Sequence, residues 1–262
     1  MNDSMLLLLS HVRRVGVCEL IDTIILIVLL IGVATFPVNY FVNDLFWYYF
    51  IEALLMLAVL LFILFYETRH PEINPPKKRF NLENFLWLLP SVLVAFSNFF
   101  YALILKEPAV VTFGLYSIPH AVFIVLNVII EEFVFRKHLL GNLNHPKTII
   151  RIVISAAIFA ACHLTIFFST FNPADLIVVA YSFGLGMILG LIYCYSHSLI
   201  ACIGLHLMFN LFNDFLFEHL FNVNSLLWYY LINVFVAIIV GVYLLIIYLL
   251  KLRKSPAELG WN

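Results

Sequence analysis

Charge is what this sequence has least of: Asp, Glu, Lys and Arg make up 11% of its 262 residues, while 64% are hydrophobic. With a mean hydropathy of +1.05, no water-soluble core has room for so much apolar surface. That excludes an ordinary globular domain and leaves a polytopic helical membrane protein. The net charge of −1 and the scatter of the 14 Lys and Arg residues exclude the dense basic face that a nucleic-acid partner needs. Cysteine is scarce as well. Cys18, Cys162, Cys194 and Cys202 fall in apolar segments, with the spacing of neither a zinc finger nor a secreted disulfide framework, so they read as packing residues. The start, MNDSMLLLLSHVRR, puts its charges behind a short apolar run instead of ahead of a long one, which is not the form of a cleavable signal peptide. Internal repeats and low-complexity segments are also missing. Residues 1–262 are therefore expected to form one membrane-embedded domain.

Apolar runs long enough to span occur at about 15–36, 46–66, 84–105, 118–140, 150–169, 174–195, 198–217 and 226–250, which makes an all-α bundle of about eight transmembrane helices. Breakers separate them: Pro37 and Asn39, HPEINPPKKRF at 70–80, Pro108, HP at 145–146 and NP at 172–173. The stretch 106–117, KEPAVVTFGLYS, reads as a partly embedded loop. Basic residues set the orientation. Arg13 and Arg14, then Arg69 with Lys77, Lys78 and Arg79, then Arg136, Lys137, Lys147 and Arg151, then Lys251, Arg253 and Lys254 all fall on one side of an eight-span chain, with Lys106 the exception. By the positive-inside bias that side is cytoplasmic, and the N-terminus and C-terminus lie there too.

The costly stretch is Ile118 to Leu140, apolar enough to span yet carrying Glu131, Glu132 and Arg136. A carboxylate at the centre of a membrane helix costs roughly 2.5–3.5 kcal/mol on insertion scales, so an adjacent pair needs a reason. One reason is an i, i+4 ion pair from Glu132 to Arg136. Another is a protected carboxylate kept for chemistry, and two further spans favour it by delivering polar groups to a similar depth. His163 lies in FAACHL, and His206 and Asn210 lie in HLMFN. At about 1.5 Å per residue all of them, with Glu131, occupy the cytoplasmic half or the midplane. His206, Asn210 and Asp214 recur at i+4 and are expected to form one polar stripe, as do Asn127 and Glu131. In SFGLGMILG, Gly186 and Gly190 offer a small-xxx-small contact that brings helices close. His120 and His197 read as packing residues, and a Cys202–His206 thiol–imidazole dyad is the weaker alternative at that position.

These residues resemble a known set. EEFVFR is similar to the EExxxR motif, FAACH to FxxxH and HLMFN to HxxxN of the CAAX-protease and bacteriocin-processing family of intramembrane glutamate peptidases. The likeness covers about Asn127 to Asn210, within a motif-bearing core of about 118–217, and leaves the first three spans without a signature. It implies that Glu131 is a general base that activates water with His163, that His206 and Asn210 stabilise the oxyanion, and that Glu132 and Arg136 support the site. The resemblance implies no cofactor.

The expectation is an intramembrane endopeptidase in the membrane of a bacterial cell. Its partners are the lipid bilayer and a membrane-associated peptide or protein substrate, in leader-peptide or bacteriocin-type processing or immunity more than in prenyl-CAAX trimming. A carboxylate with two His residues is also the ligand set of a catalytic zinc, so a zinc protease is the alternative chemistry, although HExxH is absent. A proton-linked transporter using the same residues as a relay, and a non-catalytic immunity or scaffold protein, are the alternatives from other classes. The sequence leaves the oligomeric state open.

Overall fold

Lipid offers the backbone no hydrogen bonds, so a chain that crosses it must satisfy its own, and an apolar helix does so locally. The computed structural model describes residues 21–33, 35–69, 89–143, 147–221 and 227–254. Among them, seven helices are long and apolar enough to cross a membrane: Ile21–Tyr40, Leu45–Arg69, Ser117–Leu140, Thr148–Phe168, Asp175–Ser196, Leu199–Leu220 and Leu227–Leu250. No sheet forms among the described residues, and an isolated antiparallel bridge joins Ala109 to Phe221. The protein is an all-α, multi-pass integral membrane protein.

In chain order the helices are α1 (21–33), α2 (Leu45–Arg69), α3 (Val92–Ala95), α4 (Ser97–Leu105), α5 (Ser117–Glu132), α6 (Thr148–Cys162), α7 (Leu164–Thr170), α8 (Asp175–Ser196), α9 (Leu199–Phe209), α10 (Leu216–Leu220) and α11 (Leu227–Lys254). Among the described residues two π-helical segments interrupt the α-helical ladder: Phe133–Leu140 extends α5, and Asn210–Phe215 joins α9 to α10. Local chemistry sets several boundaries. Asp44 Oδ1 accepts from the N–H groups of Phe46 and Trp47 and so caps α2. Lys106, Phe171 and His197 take left-handed backbone angles where α4, α7 and α8 end. His197 is thus a turn residue between α8 and α9, whose first turn Ser198 caps through the N–H of Ala201. The breakers at 70–80 and 145–146 lie outside the described residues.

The third expected span, 84–105, is described from Leu89 onward and runs as short pieces broken at Phe96. It still travels the length of the neighbouring crossing. Leu89 and Ser198 line one apolar cavity at the start of α9, and Ala102 packs with Phe217, Phe221 and Tyr229 at the far end. Its break is held by polar groups. Ser97 Oγ donates to Asn233 Oδ1 (2.6 Å), Asn213 Nδ2 donates to the Val94 carbonyl (2.7 Å), and Asn98 bonds Asn213 through both its backbone and its amide. The stretch expected as a loop, 106–117, is non-helical over residues 107–116, and Val110 and Thr112 donate to the carbonyls of Leu220 and His219.

Close packing of α6 on α8 rests on the two expected glycines. A Cβ on Gly186 would stand 3.1 Å from Ala156 Cα and 3.2 Å from Phe159 Cδ1, and one on Gly190 would stand 2.9 Å from Ile152 Cγ2. Without a side chain at these positions the backbones approach and dispersion contacts accumulate. On the other side of α5, Met56, Val59 and Ile63 of α2 share a buried cluster with Ile130, Val134 and Phe135. Glu67 closes that pairing by meeting Lys137 and His138, the latter at 3.1 Å, so the C-terminal ends of α2 and of the α5 crossing lie together. Leu140, Ile152, Leu244 and Tyr248 share another buried cluster, which adds the start of α6 and the end of α11 to the same neighbourhood.

Candidate active site

At the end of α5 the two adjacent glutamates point to different surroundings, as about 100° per residue requires. Glu132 is fully buried, and Arg136, also fully buried, places Nε 3.1 Å from Glu132 Oε2. The other carboxylate oxygen takes a partner from a different crossing: His206 Nδ1 lies 2.8 Å from Glu132 Oε1. A carboxylate only accepts, so Nδ1–H donates, and Glu132 ties α5 to α9 as well as to Arg136. Glu131 is partly open, with 13% of its side chain exposed. Asn127 Nδ2 donates to Glu131 Oε1 at 3.0 Å, and His206 Nε2 stands 3.6 Å from Glu131 Oε2. One imidazole therefore sits between both members of the pair. Breaking into this cluster is expensive, because a buried charge left without its partner loses both hydration and pairing.

Phe159 is the apolar centre of the arrangement. Its ring is 1% exposed and meets four neighbours: Phe135 at 5.1 Å, His163 at 4.9 Å and His206 at 5.7 Å between ring centroids, and the Arg136 guanidinium, whose Cζ lies 5.0 Å from the ring centre. The last contact is a cation–π pairing that gives a buried guanidinium, whose Nη groups have no hydrogen-bond partner among the described residues, a favourable surface. Phe159 was part of the FxxxH resemblance but carried no expected role. Its i, i+4 spacing to His163 is the signal in the sequence, and the interhelical contacts to Arg136 and His206 are what spacing along one helix does not reveal.

His163 stands at the break between α6 and α7, half-buried, with Nδ1 3.0 Å from the Phe159 carbonyl. That carbonyl accepts, so Nδ1 carries a proton, and in the neutral tautomer this leaves the lone pair on Nε2. Asn210 is half-buried and begins the π-helical segment, one α-helical turn beyond His206. Such segments are rare and recur at functional sites. Here both abut the motif residues: Phe133–Leu140 follows the glutamate pair and holds Arg136, and Asn210–Phe215 starts on the motif asparagine.

The expected polar stripe on this crossing divides. His206 belongs to the glutamate cluster, while Asp214 lines a separate cavity with Asn98, Asp175 and Glu218. The i+4 rule assumes an unbroken α-helical phase, and the π-helical segment interrupts it between these residues. Cys202 is fully buried, and its thiol lies 3.5 Å from the Leu189 carbonyl, not on the imidazole of His206. His120 stacks on Tyr49 with ring centroids 4.0 Å apart. Among the described residues, no group of three or more His, Cys, Asp or Glu is arranged to hold a metal ion.

No curated protein matches this chain, and no solved structure matches it. Residues 114–212, which hold most of the crossings that build the buried cluster, match the family described as type II CAAX prenyl endopeptidase Rce1-like, in keeping with the CAAX-protease and bacteriocin-processing family.

Proposed function

We propose that the protein is an intramembrane endopeptidase that hydrolyses a peptide bond of a membrane-associated peptide or protein with a Glu/His-activated water. The observation that carries this reading is the bridging position of His206 between Glu131 and Glu132, buried and beside Phe159. Glu131, held by Asn127, is the general base. It removes a proton from a water that also hydrogen-bonds to the lone pair on His163 Nε2, and the hydroxide forms a bond to the scissile carbonyl carbon. The carbonyl oxygen becomes an oxyanion that accepts hydrogen bonds from Asn210 and from the Nε2–H that His206 carries in its imidazolium form while its Nδ1–H stays on Glu132, both strengthened by the exclusion of bulk water. When the C–N bond breaks, Glu131 passes the proton to the departing amine. Glu132 and Arg136 hold His206 in place, a positioning role. No step requires a metal, so cleavage is expected to survive a chelator.

The substrate we favour is a leader or bacteriocin-type peptide at the cytoplasmic face of a bacterial membrane, a reading supported by the positive-inside bias of the basic residues at the ends of α2 and of the α5 crossing. The test is cleavage of a co-expressed candidate peptide. Glu131→Gln and His163→Ala are each expected to lower turnover by at least about 100-fold while the protein stays at its normal abundance. Turnover that persists in both variants overturns the assignment.

A further inference from the structure

The bundle holds a second polar place, at most about 12 Å beyond His206 along its crossing, since the α-helical rise is an upper bound across the π-helical segment. A cavity of about 180 Å³ opens between α4, α8, α11 and the run from Asp214 to Glu218, and Asn98, Asp175, Tyr181, Asp214, Glu218 and Tyr230 line it. No Lys, Arg or His is among its lining residues within the described chain. Asp214 is half-buried and Glu218 exposed, which leaves the cavity an open side. Neither forms a hydrogen bond or ion pair among the described residues. A second observation is independent of these carboxylates. Asn98 is 2% exposed, commits its backbone N–H and its amide Nδ2 to Asn213, and keeps Oδ1 buried with no hydrogen-bond partner among the described residues.

The missing ligand is therefore a donor with positive charge. Two carboxylates with no ion pair among the described residues, in a poorly solvated space, call for a cation, and an orphaned amide oxygen calls for an N–H or O–H. The rings of Tyr181 and Tyr230, with centroids 6.0 Å apart, add faces that attract a cation. A bare metal ion fits poorly, because the carboxylates do not converge as a ligand set. A primary ammonium fits: it is a compact charge with three donors. We propose that this cavity binds a primary ammonium group and, resting here on the peptidase reading above, that it receives a Lys side chain or amino terminus of the peptide substrate. The separation from His206 corresponds to roughly three or four extended residues.

The test uses the full-length protein in detergent with n-butylammonium chloride as the probe and equal sodium chloride as the reference. The thermal unfolding midpoint is expected to rise with n-butylammonium in the wild type and in Glu131→Gln. The apparent affinity is expected to fall by at least about tenfold in Glu218→Gln and in Asp214→Asn. The first of these removes an exposed carboxylate, so its fold survives the change. An equal response to sodium, no response in the wild type, or an unchanged response in both variants overturns the proposal. A second readout separates it from the peptidase reading. Peptides with Lys three or four residues from the cleaved bond are expected to show higher kcat/KM than Gln counterparts, and Glu218→Gln is expected to erase that preference. Acetylating the peptide amino terminus distinguishes the two sources of ammonium. Ammonium binding without any proteolysis sinks the peptidase reading and leaves the cavity standing. Proteolysis without ammonium dependence sinks the cavity.

Discussion

Glu132 and Asp214 sit on crossings of the same bundle yet live under opposite electrical conditions. Glu132 is fully buried and meets a guanidinium with one oxygen and an imidazole N–H with the other. Asp214 lies in a cavity whose other charged residues, Asp175 and Glu218, are of its own sign. A charge compensated by its neighbours is part of the scaffold, and neutralising it leaves those neighbours stranded. A charge left uncompensated is held by the scaffold against its own preference, and neutralising it relieves the fold. The two carboxylates should therefore respond to the same conservative change with opposite signs.

The largest effect is expected at the compensated end. Glu132→Gln removes the charge between Arg136 and His206 and should destabilise the protein by about 3–5 kcal/mol, read as the loss of folded protein in denaturant titration. A variant as stable as the wild type would mean that the pairing contributes nothing. Gly186→Ala comes next. The added methyl meets Ala156 and Phe159, and overpacking of this kind costs about 1–3 kcal/mol. Because Phe159 touches His163 and His206, turnover should fall while n-butylammonium binding stays intact. Equal damage to both readouts would show that the two regions are not separable. The smallest effect, of the other sign, is expected for Asp214→Asn. Its unfolding midpoint without added amine should be unchanged or higher, by no more than about 1 kcal/mol in stability. A clear loss of stability there would erase the contrast.

Much of this organisation was legible in the residues. Hydropathy and breakers marked the crossings, since lipid length and backbone satisfaction leave few choices. Gly186 and Gly190 marked where α8 meets α6, because small residues four apart make one smooth strip. The i, i+4 pairings of Asn127 with Glu131 and of Glu132 with Arg136 follow from helix geometry alone. What stayed hidden lies between helices. The bond from His206 to Glu132 depends on how α9 is rotated against α5, which no spacing within either helix encodes. Phe159 carried no expected role in the sequence, and its position among Arg136, His163 and His206 depends on contacts between helices. The third span lacked any motif, and its role as the polar brace of Ser97 and Asn98 against Asn213 comes from pairings more than a hundred residues apart.

The π-helical segments carry a consequence for how this chain tolerates change in length. Each widens the ladder to i→i+5, so each is equivalent to an extra residue taken up inside a helix without a loop. Deleting one residue from Phe133–Leu140 or from Asn210–Phe215 would let the segment close into an ordinary α-helix, still apolar and still able to span. What would change is angular phase: Leu139 and Leu140 would turn away from their clusters in the first case, and Phe215 and Phe217 in the second. The crossings would survive a shortening that their alignment would not, and the residue count of these two helices is as much a part of the site as the residues that line it.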